Sequence, residues 1–502
     1  MSSPSPIIPT PKPPVAPTPF NKKQYINYLI ALIMGILIFT LGQPGEYLTE
    51  TGVRVLAIVV PIIWIWLTGE MFWSSLLFLG LVVMMQIMPA ARTWEASMGH
   101  FAIILLLVFL LIDGCLGETG ALKKVANWFI TRKFVEGRPY AFLCMFLGAN
   151  LFIGFFMQNL ALAVMYLALT LKVCESIGVD KSHSLWKVMM LGTLWGNGVL
   201  SISSPIAKFF PNFMIAFLEN NLGITVSYAQ WFAVGIPFTI VMFIIMMICI
   251  RIINPDTTPL KNFDVEKFKA EHDPPLGQRG KVALTVFVIL LATILLPDIL
   301  LVAGVGGGVA SVMRYITSLT ATVPAILAVV ALCLLRAEGK PVMDINAAVG
   351  NVKLGFILFL VAAIFAGTVM GLPEAAIGPW MGSLLEPFIG GLPDFATLVI
   401  LVVVAIIISQ FVGNVVVLVL FLTLGVPMFS DAGAITQVTY AVLMSFTIMM
   451  SVATPPSVVT AALYYGPGHI EVGDVLKQNI LFIAFAIVGV LIMTPIVAAI
   501  LG

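Results

Sequence analysis

Two asparagines, Asn159 and Asn414, stand in the middle of long apolar stretches of the chain. A buried carboxamide needs hydrogen-bond partners, and its oxygen can bind a cation while its NH₂ group can bind an anion. About 45 residues after Asn159 comes Ser203-Ser204-Pro205, and about 40 residues after Asn414 comes Thr454-Pro455-Pro456-Ser457. Hydroxyl residues next to proline indicate breaks in helices, where backbone groups become available to a bound ion or solute.

A purely structural role is the alternative for each of these residues. An asparagine can cap its own helix, and the hydroxyls of Ser203, Ser204, Thr454 and Ser457 can bond back to helix carbonyls. Proline and glycine also kink membrane helices that bind nothing. Because an asparagine and a break occur twice at similar spacing, the sequence favours a binding role for the set.

Two further polar residues, Lys208 and Gln158, lie close to these motifs. A lysine at membrane depth usually has a function, because an unpaired charge there is costly. Lys208 is a candidate to pair with an anionic solute, and the alternative left open is that its ammonium reaches the outer interface. Gln158 either contacts the solute or caps the helix that follows it.

The composition predicts that membrane helices position these residues. Of 502 residues, 60% are hydrophobic and only 10% are charged, whereas soluble domains carry roughly a quarter charged residues. The fold class predicted is an all-α polytopic membrane protein with about 11 transmembrane helices. The predicted spans lie near 25–42, 52–68, 71–88, 101–116, 185–216, 230–252, 281–301, 313–335, 350–371, 436–465 and 477–500.

Two apolar regions, 139–171 and 392–427, have polar or glycine residues at their centres. Each is too long for one helix and too short for two crossings with a loop. We therefore predict two re-entrant hairpins with Asn159 and Asn414 at their tips. Hairpin, broken helix and full helix follow one another twice in opposite orientation, which is the inverted repeat typical of secondary transporters.

The positions of basic residues predict the topology. With the N-terminus inside, only Arg54, Arg92, Lys208 and Arg314 of the 25 Lys and Arg residues fall outside the cytoplasmic face. We expect a bacterial inner (plasma) membrane protein with an external C-terminus.

The predicted organisation has six parts. They are a Pro-rich cytoplasmic tail (1–24), scaffold helices (25–116), a first transport half (139–252), a cytoplasmic loop (255–280), further scaffold helices (281–371) and a second transport half (392–502).

These motifs resemble the divalent anion/sodium symporter family of dicarboxylate, citrate and sulfate carriers, over essentially residues 25–502. Thr454-Pro455-Pro456-Ser457 is similar to the family's Thr-Pro-Pro-Asn motif at the second broken helix. The family's Ser-Asn-Thr triplets at the hairpin tips bind sodium and the substrate's carboxylates. Here they are Gln158-Asn159-Leu160 and Gly413-Asn414-Val415, so both serines and both threonines are missing.

The resemblance implies which residues form the site. Sodium ligands would come from Asn159, Asn414 and Ser409, which lies five positions before Asn414, where Gly154 is its counterpart in the first half. Solute contacts would come from the two triplets, Ser203, Ser204, Lys208, Thr454, Pro455 and Ser457. The resemblance also implies a homodimer and an elevator mechanism.

The function predicted is a sodium-coupled secondary active transporter of a small anion, with no cofactor beyond the coupling ion, membrane lipid around it and no nucleic-acid partner. The alternatives are a sodium-independent exchanger, a carrier of a less charged solute and, less favoured, a channel. An enzyme is the least favoured class, because no nucleophile and base stand out at membrane depth. The four histidines lack metal-ligand spacing, and the sequence has no ATP-binding loop.

Overall fold

The structure is a computed structural model of the whole chain. The residues it describes are 22–42, 44–45, 48–68, 72–99, 101–206, 208–272, 275–350, 352, 354–377, 379–380, 383, 387, 391–411, 413–429, 432–455, 457–465 and 467–501. Most of the predicted tail (residues 1–21), together with His100 and Pro456, therefore lies outside the described residues.

Helices make up nearly all of the described secondary structure. The α-helices are Lys22–Leu41, Glu50–Leu67, Phe72–Met84, Ala90–Ser97, Phe101–Glu118, Ala121–Ile130, Pro139–Gly154, Asn159–Ser176, Ser184–Ser203, Phe209–Leu222, Tyr228–Ile253, Val265–His272, Gln278–Val302, Gly307–Ser318, Thr322–Leu334, Ile345–Gly350, Leu354–Met370, Asp394–Ser409, Asn414–Gly425, Ala434–Ile448, Val459–Tyr465, Val472–Ile492 and Thr494–Leu501. Short 3₁₀ helices are Lys133–Val135, Thr258–Asn262, Pro373–Ala375 and Val426–Phe429, and strands Arg336–Ala337 and Lys340–Pro341 form an antiparallel pair.

The predicted all-α polytopic fold is confirmed. Each predicted span coincides with a described helix or with two helices in succession. Among the described residues, five helices are individually long and apolar enough to cross a membrane, and two bent helix pairs pass the same test together. One of these pairs corrects the sequence analysis, which placed a single span near 313–335. The chain there bends by 80° between Gly307–Ser318 and Thr322–Leu334, with Thr320 in the left-handed region at φ 55°.

Both predicted hairpins are present as two helices joined by a short non-helical tip. The first hairpin consists of Pro139–Gly154 and Asn159–Ser176, and the second of Asp394–Ser409 and Asn414–Gly425. The helix after each tip begins at the asparagine that the sequence singled out. The residue before Asn159 is Gln158, which has an extended backbone, and the residue before Asn414 is Gly413.

A broken helix and a full helix follow each hairpin. In the first half, Ser184–Ser203 and Phe209–Leu222 form the first broken helix, which Tyr228–Ile253 follows. In the second half, Ala434–Ile448 and Val459–Tyr465 form the second broken helix. Val472–Ile492 then leads into Thr494–Leu501.

Segments that the topology assigns to one face do meet in space. Lys187 Nζ lies 2.7 Å from Asp474 Oδ2, and Lys181 Nζ donates to the carbonyl of Gly468 at 2.9 Å. His183 lies 3.5 Å from Asp256, whose pKa is held below its usual range by hydrogen bonds from Thr258. One surface is therefore shared by three segments: the loop after the first hairpin, the region around the start of Val472–Ile492 and the start of the 255–280 loop.

The full helix of the first half packs directly on the break. A Cβ on Gly235 would collide with the carbonyl oxygen of Ser203, so only glycine allows this approach. The indole Nε1 of Trp231, one turn earlier, donates to the carbonyl of Ile202 at 2.9 Å. Glycine and tryptophan together hold Tyr228–Ile253 against the end of Ser184–Ser203.

We expect Gly235→Ala to lower the thermal unfolding midpoint of the purified protein, because overpacking a buried contact costs about 1–3 kcal/mol. The matched control is Gly80→Ala, since Gly80 is also helical but has open space around its Cα. The measurement is thermal unfolding in detergent followed by intrinsic fluorescence. Equal midpoints for the two variants would contradict the packing described.

Candidate functional site

The first hairpin tip is tied to the first broken helix by a closed set of hydrogen bonds. Asn159 Nδ2 donates to the hydroxyl of Ser201, and Ser201 Oγ donates to the carbonyl of Asn197 at 2.9 Å. Asn197 Nδ2 in turn donates to the carbonyl of Asn159 at 2.9 Å. The NH₂ group of Asn159 therefore donates within the protein, to Ser201, and its Oδ1 accepts from a different side chain.

That side chain belongs to Lys208. Its side chain is only 2% exposed, and Nζ donates to Asn159 Oδ1 at 2.5 Å and to the carbonyl of Met157 at 3.0 Å. Lys208 lies immediately before the helix Phe209–Leu222, in the gap of the broken helix. Its ammonium thus points back onto the hairpin tip rather than reaching away to an interface.

A cavity of about 500 Å³ lies beside this tip. Its walls come from the first hairpin and from the segment 117–123, at the bend after the helix Phe101–Glu118. Gln158 and Leu160, two of the predicted solute contacts, line it, as does Lys123. Gln158 Oε1 also accepts from the backbone N–H groups of Leu160 and Ala161, at 2.8 and 3.1 Å. Gln158 therefore caps the helix, which is one of the two roles considered for it, and it also borders the cavity.

The first break is held by Ser204. Its Oγ donates to the carbonyl of Phe155 on the hairpin at 2.5 Å and accepts from the N–H of Ile206 at 3.2 Å. Ser203 Oγ, by contrast, bonds back to the carbonyl of Val199 at 2.7 Å within its own helix. Of the two serines, Ser204 joins the break to the hairpin. Ser203 bonds back to its own helix, which is the structural role considered above for these hydroxyls.

The second tip is anchored by its backbone. The N–H of Asn414 donates to the carbonyl of Ser457 at 3.2 Å, and its Nδ2 lies 3.6 Å from the sulfur of Met449. Gly413 supplies no side chain to this tip, and Val415 is half-buried on the helix after it. Asn414 itself is 6% exposed.

Two residues just before the second tip bind the second break. The hydroxyl of Ser409 lies 2.5 Å from that of Ser451, and both residues are fully buried. Gln410 Oε1 accepts from the N–H groups of Val452 and Ala453 at 3.1 and 3.0 Å. Gln410 therefore satisfies two donors that the broken helix would otherwise leave unpaired.

The remaining predicted residues of the second half surround the break itself. Thr454 Oγ1 donates to the carbonyl of Gln410, and Ser457 Oγ donates to the carbonyl of Thr454 at 2.6 Å. Pro455 is exposed. The hydroxyl of Tyr465 donates to the carbonyl of Val452 at 3.1 Å.

These hydrogen bonds show which residues of the first half correspond to which residues of the second half. Phe155 and Gln410 each lie four residues before the tip asparagine, and each carbonyl accepts from the hydroxyl of a hydroxyl–proline pair, Ser204 or Thr454. The carbonyl two residues before each hydroxyl accepts a hydrogen bond from an aromatic side chain. Trp231 donates to the carbonyl of Ile202, and Tyr465 donates to the carbonyl of Val452. The register makes Ser201 equivalent to Ser451 and Lys208 equivalent to Val458.

The register also explains one difference at the tips. Gly154 corresponds to Ser409, and a Cβ at Gly154 would collide with the side chain of Leu200. In the first half, a leucine side chain therefore occupies the place where the second half has a hydroxyl. The two broken helices meet at Gly198, where a Cβ would lie 2.8 Å from the carbonyl oxygen of Met449, the residue that contacts Asn414.

Asp113 is a buried carboxylate near the first tip that the sequence did not single out. It is 7% exposed, and its charge acts on that of Lys208 through space. Asp113 belongs to the helix Phe101–Glu118, in the predicted scaffold.

Asn197, Ser201, Gln410 and Ser451 were also missed. Their spacing from the prolines, once both halves are put in register, is the signal that was available.

Comparison with known proteins finds a matching family and several similar proteins. A family model described as a citrate transporter (CitMHS) matches residues 59–448. A sodium-dependent dicarboxylate transporter (SdcS) of Staphylococcus saprophyticus is 23% identical over 512 residues, covering 95% of this chain and 93% of that protein. A protein of Cupriavidus necator described only as a membrane protein is 21% identical over 247 residues, which is 46% of this chain and 48% of that one.

Two solved structures share the fold. One is the YdaH transporter of Alcanivorax borkumensis, with a TM-score of 0.53 and 13% identity, covering 95% of this chain and 97% of that chain. The other is MtrF of Neisseria gonorrhoeae, from a class of antimetabolite efflux pumps, with a TM-score of 0.53 and 16% identity, covering 96% and 95%. At such identities the likeness concerns the fold alone.

The matched region extends from the helix Glu50–Leu67 to the end of Ala434–Ile448, which is well over half of the chain. It includes both hairpins and the whole of the first broken helix. The protein is accordingly a transporter and not an enzyme. This chain belongs to the citrate transporter (CitMHS) family.

Proposed function

We propose that this protein is a secondary active carrier of small anions of the di- or tricarboxylate class, coupled to sodium. The observation that carries the proposal is the matched pair of hairpin tips, each hydrogen-bonded to a hydroxyl–proline break, in a chain of the citrate transporter family. The sodium-dependent dicarboxylate transporter among its relatives supports the same class of solute and coupling ion.

Helix ends supply the attraction for an anion. Helices begin at Phe209 after the first break and at Asn414 after the second tip, and neither N-terminus has a side-chain cap. The N-terminus of a helix carries unpaired N–H groups and a partial positive charge, so these two ends favour anionic groups. This backbone-based recognition does not need the threonine hydroxyls that are replaced by Leu160 and Val415.

The second tip is the better candidate for sodium. Hard cations prefer oxygen ligands, and Ser409 Oγ, Ser451 Oγ and the backbone carbonyls of the second break are oxygens gathered near Asn414. In the first half the position of Ser409 is held by Gly154 against Leu200. A bound sodium ion would supply positive charge that lowers the cost of placing an anion at membrane depth.

We further propose that the two transport halves move against the scaffold in an elevator movement, within a homodimer. The first tip lies against the scaffold through Phe156, whose ring centroid is 6.0 Å from that of Phe287, and through the cavity at 117–123. Lys123 at this cavity belongs to the basic face that the topology assigns to the cytoplasm. In a bacterial plasma membrane with the N-terminus inside and the C-terminus outside, this cavity is a route from the first tip to the cytoplasm.

A second candidate is a sodium-independent anion exchanger. The observation that favours it is the contact of Lys208 with Asn159, which provides a fixed positive group at one tip. The apolar Leu160 beside the cavity likewise leaves open a less charged solute.

In proteoliposomes, we expect saturable uptake of labelled succinate, citrate or sulfate that increases under an inward sodium gradient. The reason is that a carrier binds ion and anion together before it moves. Uptake without sodium that is stimulated by anion inside the vesicle would identify the exchanger instead. Conductance that does not saturate would contradict a carrier altogether.

We expect Ser409→Ala to raise the sodium concentration for half-maximal uptake about 10-fold, because losing one oxygen ligand of about 1.4 kcal/mol weakens binding by that factor. Ser445→Ala is the matched control, since Ser445 is buried in the neighbouring broken helix but bonds only to Val442 of its own helix. An unchanged sodium dependence of Ser409→Ala would place the coupling ion elsewhere.

A further inference from the structure

The ligands of Lys208 are the kind of atoms that hold a metal cation. Its ammonium is bound by an amide oxygen, Asn159 Oδ1 at 2.5 Å, and by a tip carbonyl, Met157 at 3.0 Å. Both oxygens belong to the non-helical tip or to the first residue of the next helix. An ammonium group and an alkali ion have the same charge and compete for the same oxygen ligands.

The second half has no such group at the equivalent position. The register set by the two hydroxyl–proline pairs places Val458 four residues after Thr454, as Lys208 lies four residues after Ser204. The side chain of Val458 is half-buried and cannot donate a hydrogen bond. The two tips therefore differ in whether a protein cation is present.

Asp113 supplies the opposite charge. A buried ammonium is tolerated only when it is hydrogen-bonded and a counter-charge is near, and Asp113, itself only 7% exposed, is the carboxylate whose charge acts on Lys208. The two charges sit on different parts of the molecule. Asp113 is in the helix Phe101–Glu118 of the scaffold, and Lys208 is in the first broken helix.

We propose that the ammonium of Lys208 is a tethered cation of the first tip, in the place where a free coupling ion would bind, and that Asp113 of the scaffold is its counter-charge. This inference rests on the proposed function only for the identity of the ion, sodium, that the second tip binds. The first tip then needs no ion from solution. An anionic solute entering the cavity competes with Asp113 for Lys208.

The test exchanges the two equivalent residues and measures binding without transport. Purified wild type, Lys208→Val and Val458→Lys are titrated with sodium chloride against choline chloride, and thermal stabilisation is recorded. At high sodium, we expect the stabilisation of wild type to rise with the logarithm of sodium concentration with the slope of one bound ion, and that of Lys208→Val with the slope of two, because the emptied first tip becomes an ion site. Val458→Lys should lose the stabilisation.

A sodium response of Lys208→Val identical to that of wild type would overturn the proposal. Should that variant not fold, Lys208→Met, which is unbranched and close in volume, takes its place, and an unaltered response of Val458→Lys counts equally against the proposal. If wild type shows no sodium response, sodium coupling fails as a function. A response gained by Lys208→Val would still support the tethered cation.

Asp113 is tested by a double-mutant cycle on thermal stability. Asp113→Asn and Lys208→Met should each lower the unfolding midpoint, because each leaves one buried charge without its partner. The double variant should lose less than the two single losses together. Strict additivity would show that Asp113 is not the counter-charge. The control pair is Asp113→Asn with Ser445→Ala, which should be additive because Ser445 bonds within its own helix.

Discussion

A backbone that stops being helical inside a membrane must find partners for its N–H and C=O groups within the protein. This protein meets that requirement in the same way twice. A hydroxyl before proline, Ser204 or Thr454, donates to a carbonyl of the hairpin, and an aromatic donor, Trp231 or Tyr465, covers a carbonyl two residues earlier. Hairpin and broken helix are therefore parts of one unit, and the tip asparagines owe their position to these bonds.

The same pattern of hydrogen bonds surrounds different side chains at the two tips. In the second half, the room around Ser409 allows contact between two hydroxyls, and Val458 leaves the tip without a cation. In the first half, Leu200 occupies the space beside Gly154, and Lys208 fills the tip from the other side. An inverted repeat fixes the backbone of both sites but not the side chains, and this freedom is what the proposal of a free ion at one tip and a tethered cation at the other requires.

Much of this arrangement was predictable because it follows from length and spacing. Apolar stretches near bilayer thickness gave the helices, and the repeated asparagine and hydroxyl–proline pair gave the hairpins and breaks. The 80° bend at Thr320 was not predicted, although Pro324 stands in the first turn of the helix that follows it. Asp113 was missed for another reason: Lys208, whose charge acts on it, is distant in sequence, and only tertiary packing brings the two residues near each other.

The separation of Asp113 and Lys208 has a consequence for any movement between the two parts. A charged side chain at the centre of a bilayer costs about 3 kcal/mol even in mild estimates. If the first broken helix moves along Phe101–Glu118, Lys208 leaves Asp113 behind and needs another negative charge. A bound anion provides that charge, whereas an empty tip does not. Under the proposed movement, the pair would favour the loaded carrier over the empty one, which is the condition for exchange of one anion for another, the second candidate function.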